Sequence, residues 1–288
     1  MITKTNYKDR PAIKVSAGDT EALFLPKDGG KFVSLKHKGK EFFEHRKEEN
    51  YRILGLDTSY IESECSAFDD MFPTIDPCTI NGMDYLDHGE VCRREHEVEI
   101  KDDTVTFTCE LKNLNATFKK SVYEESGTLC IRYRIENHNG FDFPYLWAGH
   151  MMFKGESGAY AVSDFTAHDE KKVMFGVPET LEKAHILPEY GAIRQYKYYY
   201  TDAKGPIRCG VVYPKSNAEV SLEFDSDIVK YLGLWVNPGD LNGMYNIALE
   251  PCTALYDDPI NAKKANVDSV IKSGETVEFT LKIKCKEI

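Results

Sequence analysis

The sequence has no CxxC pair, no excess of positive charge, no sustained helical periodicity and no apolar run approaching the roughly 18 residues of a membrane span. Each absence narrows what the chain can be. Without short spacings among the cysteines at 65, 78, 92, 109, 130, 209, 252 and 285, neither a zinc site nor a thioredoxin-type redox motif is supported. The N-terminal stretch MITKTNYKDRPAIKV lacks the apolar core of a secretory signal. A net charge of −11 repels polyanions at long range, so nucleic acid is excluded as a general partner and neutral or cationic ligands fit better. The expectation is a reduced, cytoplasmic protein with no membrane partner, no metal and no cofactor.

At 288 residues the chain is long enough for two domains, yet no linker, repeat or low-complexity tract divides it. One domain over 1–288 is expected. Surface scaling leaves about 12,500 Å² exposed out of about 47,500 Å² unfolded, enough burial for a deep core without disulfides.

What is present is alternation. Thr104–Leu111 (TVTFTCEL) sets Val105, Phe107, Cys109 and Leu111 on one face and Thr104, Thr106, Thr108 and Glu110 on the other. Leu129–Glu136 and Thr276–Cys285 repeat the pattern. Period 2 with polar residues on the alternate face predicts half-buried antiparallel strands. Lys101-Asp102-Asp103, Glu125-Ser126-Gly127, Asp202-Ala203-Lys204-Gly205 and Ser273-Gly274-Glu275 read as hairpin connections. Helical patterning is confined to a turn or two within 57–67 and 261–270. The fold class is therefore all-β: stacked antiparallel sheets with few short helices.

Three segments break the alternation with clustered polar and aromatic residues: Phe68–Arg94, Phe143–Phe153 and Tyr231–Asp258. Glu250 closes the apolar run Asn246-Ile247-Ala248-Leu249 directly before Pro251, and a carboxylate at the end of a buried strand is expensive to desolvate unless paired. His150 stands in an otherwise apolar strand, and His88 in a glycine-flanked loop. Taken singly, each has an ordinary structural explanation: a strand-end glutamate reaching solvent, a satisfied core histidine, a turn residue.

Together they resemble the aldose 1-epimerase (galactose mutarotase-like) superfamily. DDMFPTIDP resembles its acidic-Phe-Pro segment, DHGEVCRREHEV its His-Gly loop, WAGHMMF its Gly-x-His-Pro-Tyr-Phe strand, and LWVNPG followed by NIALEPCTA its Trp-x-x-Pro-Gly and Glu-Pro-Trp-Thr pair. SGETVEFTLKI resembles its Pro-Gly-Glu strand. The resemblance implies a β supersandwich with a sugar cleft across one concave sheet. It also implies roles: Glu250 as catalytic base, His150 as general acid and His88 as a second histidine on the substrate ring. Departures lie at the cleft walls. Cys92 stands where relatives that bind sugar phosphates often carry arginine, His96 and Cys252 where tryptophan is common, and Met151-Met152 where Pro-Tyr is usual.

The implied activity is an isomerase reaction on a small-molecule sugar: interconversion of α and β anomers by acid–base ring opening and reclosure. Acidic surroundings are expected to keep an imidazole protonated. Asp69, Asp70, Arg93 and Arg94 are candidate hydroxyl ligands, and Trp147, Phe153 and Trp235 candidate walls against the sugar's C–H face. Two alternatives stay open. A hexose-6-phosphate mutarotase needs a cationic pocket, which Arg93-Arg94 would supply. A non-catalytic carbohydrate-binding or sensing protein on the same fold needs binding without turnover. The sugar's identity and a homodimeric state are not legible.

Overall fold

The period-2 runs become strands of the smaller of two large antiparallel sheets, which share one hydrophobic core. The computed structural model describes residues 1–164, 171–200, 207–224 and 227–288; the expected 202–205 turn lies outside the described residues. The smaller sheet has eight strands, and it holds Thr104–Leu111, Thr128–Asn137 and Thr276–Glu287, where the alternation is clearest. Leu129, Ile131, Tyr133 and Ile135 are buried while Arg132 and Arg134 face solvent. The last of these strands sits mid-sheet, between Thr128–Asn137 and Ala218–Phe224.

The larger sheet has eleven strands. Its central run, in spatial order, is Lys31–His37, Phe68–Met71, Ala148–Lys154, Tyr245–Cys252, Tyr231–Pro238 and Tyr196–Tyr200. These strands are buried on both faces, so their sequences do not alternate in polarity. Parity still sorts their side chains. Met151, Phe153, Ile247, Leu249, Tyr196 and Tyr198 point into the core between the sheets. Met71, Ala148, Met152, Tyr199, Trp235, Ala248 and Cys252 point to the other face, into a second cluster closed by loop residues such as Tyr60 and Leu255.

The helical expectations hold only loosely. Within 57–67 there is one 3₁₀ turn, Tyr60–Glu62. The one α-helix among the described residues, Pro259–Lys264, begins before the expected 261–270. Its start is chemical: Asp258 accepts a hydrogen bond from the Asn261 amide at 2.8 Å, and Pro259 supplies a φ already suited to a first turn. Glu125-Ser126-Gly127 and Lys101-Asp102-Asp103 do join hairpins. Ser273-Gly274-Glu275 does not, because the strand before it, Ser269–Ile271, pairs with Phe143–Tyr145 in a separate two-stranded sheet.

Asp70 is a buried charge between the two sheets. Its parity is that of Phe68 and Phe72, so it points into the core rather than out of it. There it meets Lys120 of the opposite sheet at 2.8 Å and accepts from the Trp147 indole N–H at 3.1 Å. The lysine ammonium lies over the rings of Phe24 and Phe107. Such a pair crosslinks two sheets but does so at a desolvation cost, so removing one partner hurts more than removing both charges. Lys120→Met is expected to lose about 3–5 kcal/mol of stability, read from the urea midpoint. Combining Lys120→Met with Asp70→Asn restores at least half of that, since the uncharged carboxamide can still accept from the Trp147 indole.

Candidate active site

Strand register alone brings the central residues together. Tyr199 pairs with Gly233, and Gly233 with Glu250. On the far side, the register that matches Ala148 to Cys252 and Met151 to Leu249 sets His150 opposite Glu250, and His150 in turn pairs with Asp69. Five neighbouring strands thus line up Tyr199, Gly233, Glu250, His150 and Asp69 in one row on the outer face. Lys197, Trp235, Ala248 and Met152 form the row beside it. Directly opposite residues in a sheet hold their Cβ atoms about 4.5–5.5 Å apart, so the backbone itself delivers carboxylate and imidazole to contact.

Over these rows lies a cleft of about 340 Å³, lined among others by His88, His150, Lys197, Trp235, Glu250 and Asp257. Glu250 is fully buried, with Oε1 3.6 Å from His150 Nε2 and Oε2 2.7 Å from Lys197 Nζ. Neither carboxylate oxygen receives a well-directed hydrogen bond among the described residues, and neither does His150 Nδ1 find a partner. Lys197 reaches a second carboxylate, Asp257 Oδ1, at 2.6 Å, and the same oxygen accepts from the Tyr199 hydroxyl at 2.8 Å.

Burial dominates the proton affinities here. It pushes Glu250 above the usual carboxylate range, with Lys197 opposing and Asp257 adding to the rise. Lys197 is itself penalised by burial, but the two carboxylates outweigh that and hold it cationic. Burial pushes His150 well below 6.5, and the charges it meets at His88, Lys197 and Lys31 push the same way. The expectation of an imidazole kept protonated by acidic surroundings is therefore overturned for His150: its near neighbours include two lysines, and water is excluded.

His88 comes from a loop. It and Gly89 both adopt left-handed φ, 58° and 78°, and a Cβ on residue 89 would lie 2.3 Å from the Phe72 carbonyl oxygen. The turn must therefore hold glycine at that place, which fixes the histidine before it. The His88 ring stacks on Tyr60 at 3.9 Å between centroids, and its Nδ1 lies 2.8 Å from Asp87 Oδ1. Tyr60 donates its hydroxyl to Asp69 at 3.0 Å, and Asp69 is ion-paired with Lys31.

The structure brings Glu250, His150, His88 and Trp235 to the cleft. Asp69 lies one layer away, as the anchor of Tyr60. The remaining expected ligands and walls are corrected. Asp70, Trp147 and Phe153 have the opposite parity and point into the inter-sheet core. Arg93 is buried and its guanidinium is committed to backbone carbonyls, those of Gly55, Thr58, Asp87 and Gly89 at 2.7–3.1 Å. Arg94 pairs with Glu90 and lines a different groove. Of the substituted wall positions, His96 packs against Gly30, away from the cleft, while Cys92 and Cys252 both join the hydrophobic cluster on the cleft face, neither of them lining the cleft itself. Sequence reading missed Lys197, Asp257 and Tyr60. A visible signal for the first was a lone charge inside YKYYY, where five consecutive residues are all buried. Among the described residues no three His, Cys, Asp or Glu side chains are grouped as a metal site requires.

No family model and no curated protein matches the chain by sequence. Solved structures do. The chain is similar to a candidate aldose 1-epimerase from Klebsiella pneumoniae, with TM-score 0.77 and 15% identity over 98% of this chain and 81% of that one. It is similar to a galactose mutarotase-like protein from Clostridium acetobutylicum, with TM-score 0.69 and 17% identity over 100% and 99% of the two chains. A galactose mutarotase-like protein from Lactobacillus casei gives TM-score 0.70 and 16% identity over 96% and 100%. The chain has the galactose mutarotase-like fold.

Two buried histidines make stability depend on pH. His96 is pushed down to about 3 and His150 is lowered as well, both by burial first. The unfolded chain takes up these protons near pH 6.5 while the folded one does not, so stability falls as pH drops below about 6.5. Each histidine is expected to remove up to about 1.4 kcal/mol per pH unit. Urea titrations between pH 7 and 5 should show this slope, and His96→Gln should make it shallower.

Proposed function

We propose that the protein is an aldose 1-epimerase, an isomerase that interconverts the α and β anomers of a neutral aldose. The observation that carries this reading is the contact of a buried carboxylate and a buried imidazole, Glu250 and His150, side by side on the floor of a cleft of sugar size. Ring opening needs a proton taken from the C1 hydroxyl and one given to the ring oxygen, O5. In this reading Glu250 takes the first and His150 gives the second, the C1–O5 bond breaks, the aldehyde turns about C1–C2, and the reverse transfers reclose the ring. His88, oriented by Asp87 and Tyr60, hydrogen-bonds a ring or neighbouring oxygen and stabilises charge that develops there.

The proton affinities support a reversible exchange. His150 rests as a neutral imidazole, so opening draws on its small protonated fraction: carboxylate plus imidazolium become carboxylic acid plus imidazole, and reclosure undoes it. Burial moves Glu250 up from 4.5 and His150 down from 6.5. The carboxylate is thereby a stronger proton acceptor, and the imidazolium a stronger donor, than either is in water.

The cleft's charge favours a neutral sugar over a phosphorylated one. Arg93 and Arg94 are committed elsewhere, and the lysine in the cleft wall already faces two carboxylates. Among the described residues lining the cleft, a sugar-phosphate dianion would meet no arginine fork. Glu250→Gln is expected to lower anomer interconversion at least about a hundredfold while sugar binding persists, checked by polarimetry for rate and by saturation-transfer NMR for binding. Binding without faster interconversion in the unsubstituted protein would instead favour a carbohydrate sensor. Glucose should outpace glucose 6-phosphate in the same assay.

A further inference from the structure

Lys197 and Asp257 take no part in the proton exchange just described, yet they are charged groups in direct line with Glu250. We propose that they form a fixed, charge-neutral pair that sets the basicity of Glu250: Lys197 keeps it a carboxylate, and Asp257 keeps it able to accept a proton. The inference rests on the reading of Glu250 as the base.

The geometry is a three-member chain of charge, with Nζ of Lys197 2.7 Å from Glu250 Oε2 and 2.6 Å from Asp257 Oδ1. A lone carboxylate so deeply buried would take up a proton and cease to be a base. One lysine corrects this but overcorrects. If Glu250 then accepted the sugar's hydroxyl proton, the lysine would be left as an uncompensated buried cation, and the transfer would be opposed. Asp257 removes that penalty. The trio carries a charge of −1 before the transfer and none after it, ending as protonated Glu250 beside a neutral Lys197–Asp257 pair.

Asp257 is built to stay in place. Its carboxylate accepts from Tyr199 at 2.8 Å, and its backbone carbonyl accepts from the amides of Ile75 and Asp76 at 3.0 and 2.7 Å. Gly233 makes room for the Tyr199 ring, since a Cβ there would lie 2.7 Å from Tyr199 Cε1. The other titratable groups around Glu250 are His150 on the adjoining strand, His88 from its loop, Tyr199 and, on its own strand, Cys252; Asp76 lies beyond, against Asp257. The signs agree with the geometry: Lys197 lowers the proton affinity of Glu250 and Asp257 raises it.

The test is two substitutions with opposite expected effects. In the pH profile of kcat/KM for anomer interconversion, Lys197→Met should move the acidic limb upward by at least about one pH unit, and Asp257→Asn should move it downward. Lys197→Arg should leave the limb within about half a unit of the unsubstituted protein, because the positive charge is kept. Both limbs moving the same way, or neither moving, overturns the proposal. If Lys197→Met does not fold, the sign of the Asp257→Asn displacement decides alone: downward supports, upward or unmoved overturns. The same displacements should appear in a 13C NMR titration of the Glu250 side-chain carboxyl in the full chain, assigned by its loss in Glu250→Gln. That readout needs no turnover. A protein that interconverts no sugar would therefore sink the enzymatic reading while the carboxyl titration still judges the role of the pair.

Discussion

One register constraint underlies the whole site. A sheet fixes which residues of neighbouring strands stand side by side, and a slip of one residue would turn every side chain to the opposite face. Here five strands agree, so that Tyr199, Gly233, Glu250, His150 and Asp69 form a continuous row. Nothing in the loops has to bring the carboxylate to the imidazole. The loops add His88, Tyr60 and Asp257 around a contact that the sheet already makes. Gly233 at the centre of the row is part of the same constraint, because its missing side chain is the space the Tyr199 ring occupies.

The same parity separates two kinds of buried charge on one short strand. Asp69 and Asp70 are consecutive, so they face opposite sides of the sheet. Asp70 goes inward and bridges to Lys120 of the smaller sheet, where it serves the architecture. Asp69 goes outward, pairs with Lys31 and holds the Tyr60 hydroxyl, where it serves the cleft through the ring that supports His88. Each buried carboxylate on these central strands has its own lysine: Asp69 with Lys31, Asp70 with Lys120, Glu250 with Lys197. What distinguishes Glu250 is that its lysine is shared with another acid and that its oxygens receive no directed hydrogen bond among the described residues.

Much of this was legible in the sequence, and the rest failed for identifiable reasons. The smaller sheet was readable because one face of it meets solvent, so polarity alternates along Thr104–Leu111 and its neighbours. The larger sheet's central strands are covered on both faces, and polarity there no longer reports direction. That is why Trp147, Phe153 and Asp70 were assigned to the cleft: the resemblance located the strand but not the parity of each position. Glu250, His150 and His88 were singled out through the resemblance, since each alone allows an ordinary structural explanation, and the register sets the first two side by side. Arg93, expected as a hydroxyl ligand, is not available to a sugar because its fork ties the His88 loop to carbonyls of residues 55–58. Lys197 and Asp257 were invisible as a pair, being 60 residues apart and joined only in three dimensions.

The position of strand 276–287 has a consequence for how the protein is made. It lies between strands 128–137 and 218–224, and its backbone bonds to both. During synthesis those two strands leave the ribosome long before the one that joins them. Until about residue 287 has emerged, the nascent smaller sheet is two separate pieces, each with an unpaired edge and an uncovered apolar face. Such edges invite pairing with other chains. Chaperone capture should therefore persist until strand 276–287 has emerged, and a chain cut before that strand cannot close its sandwich.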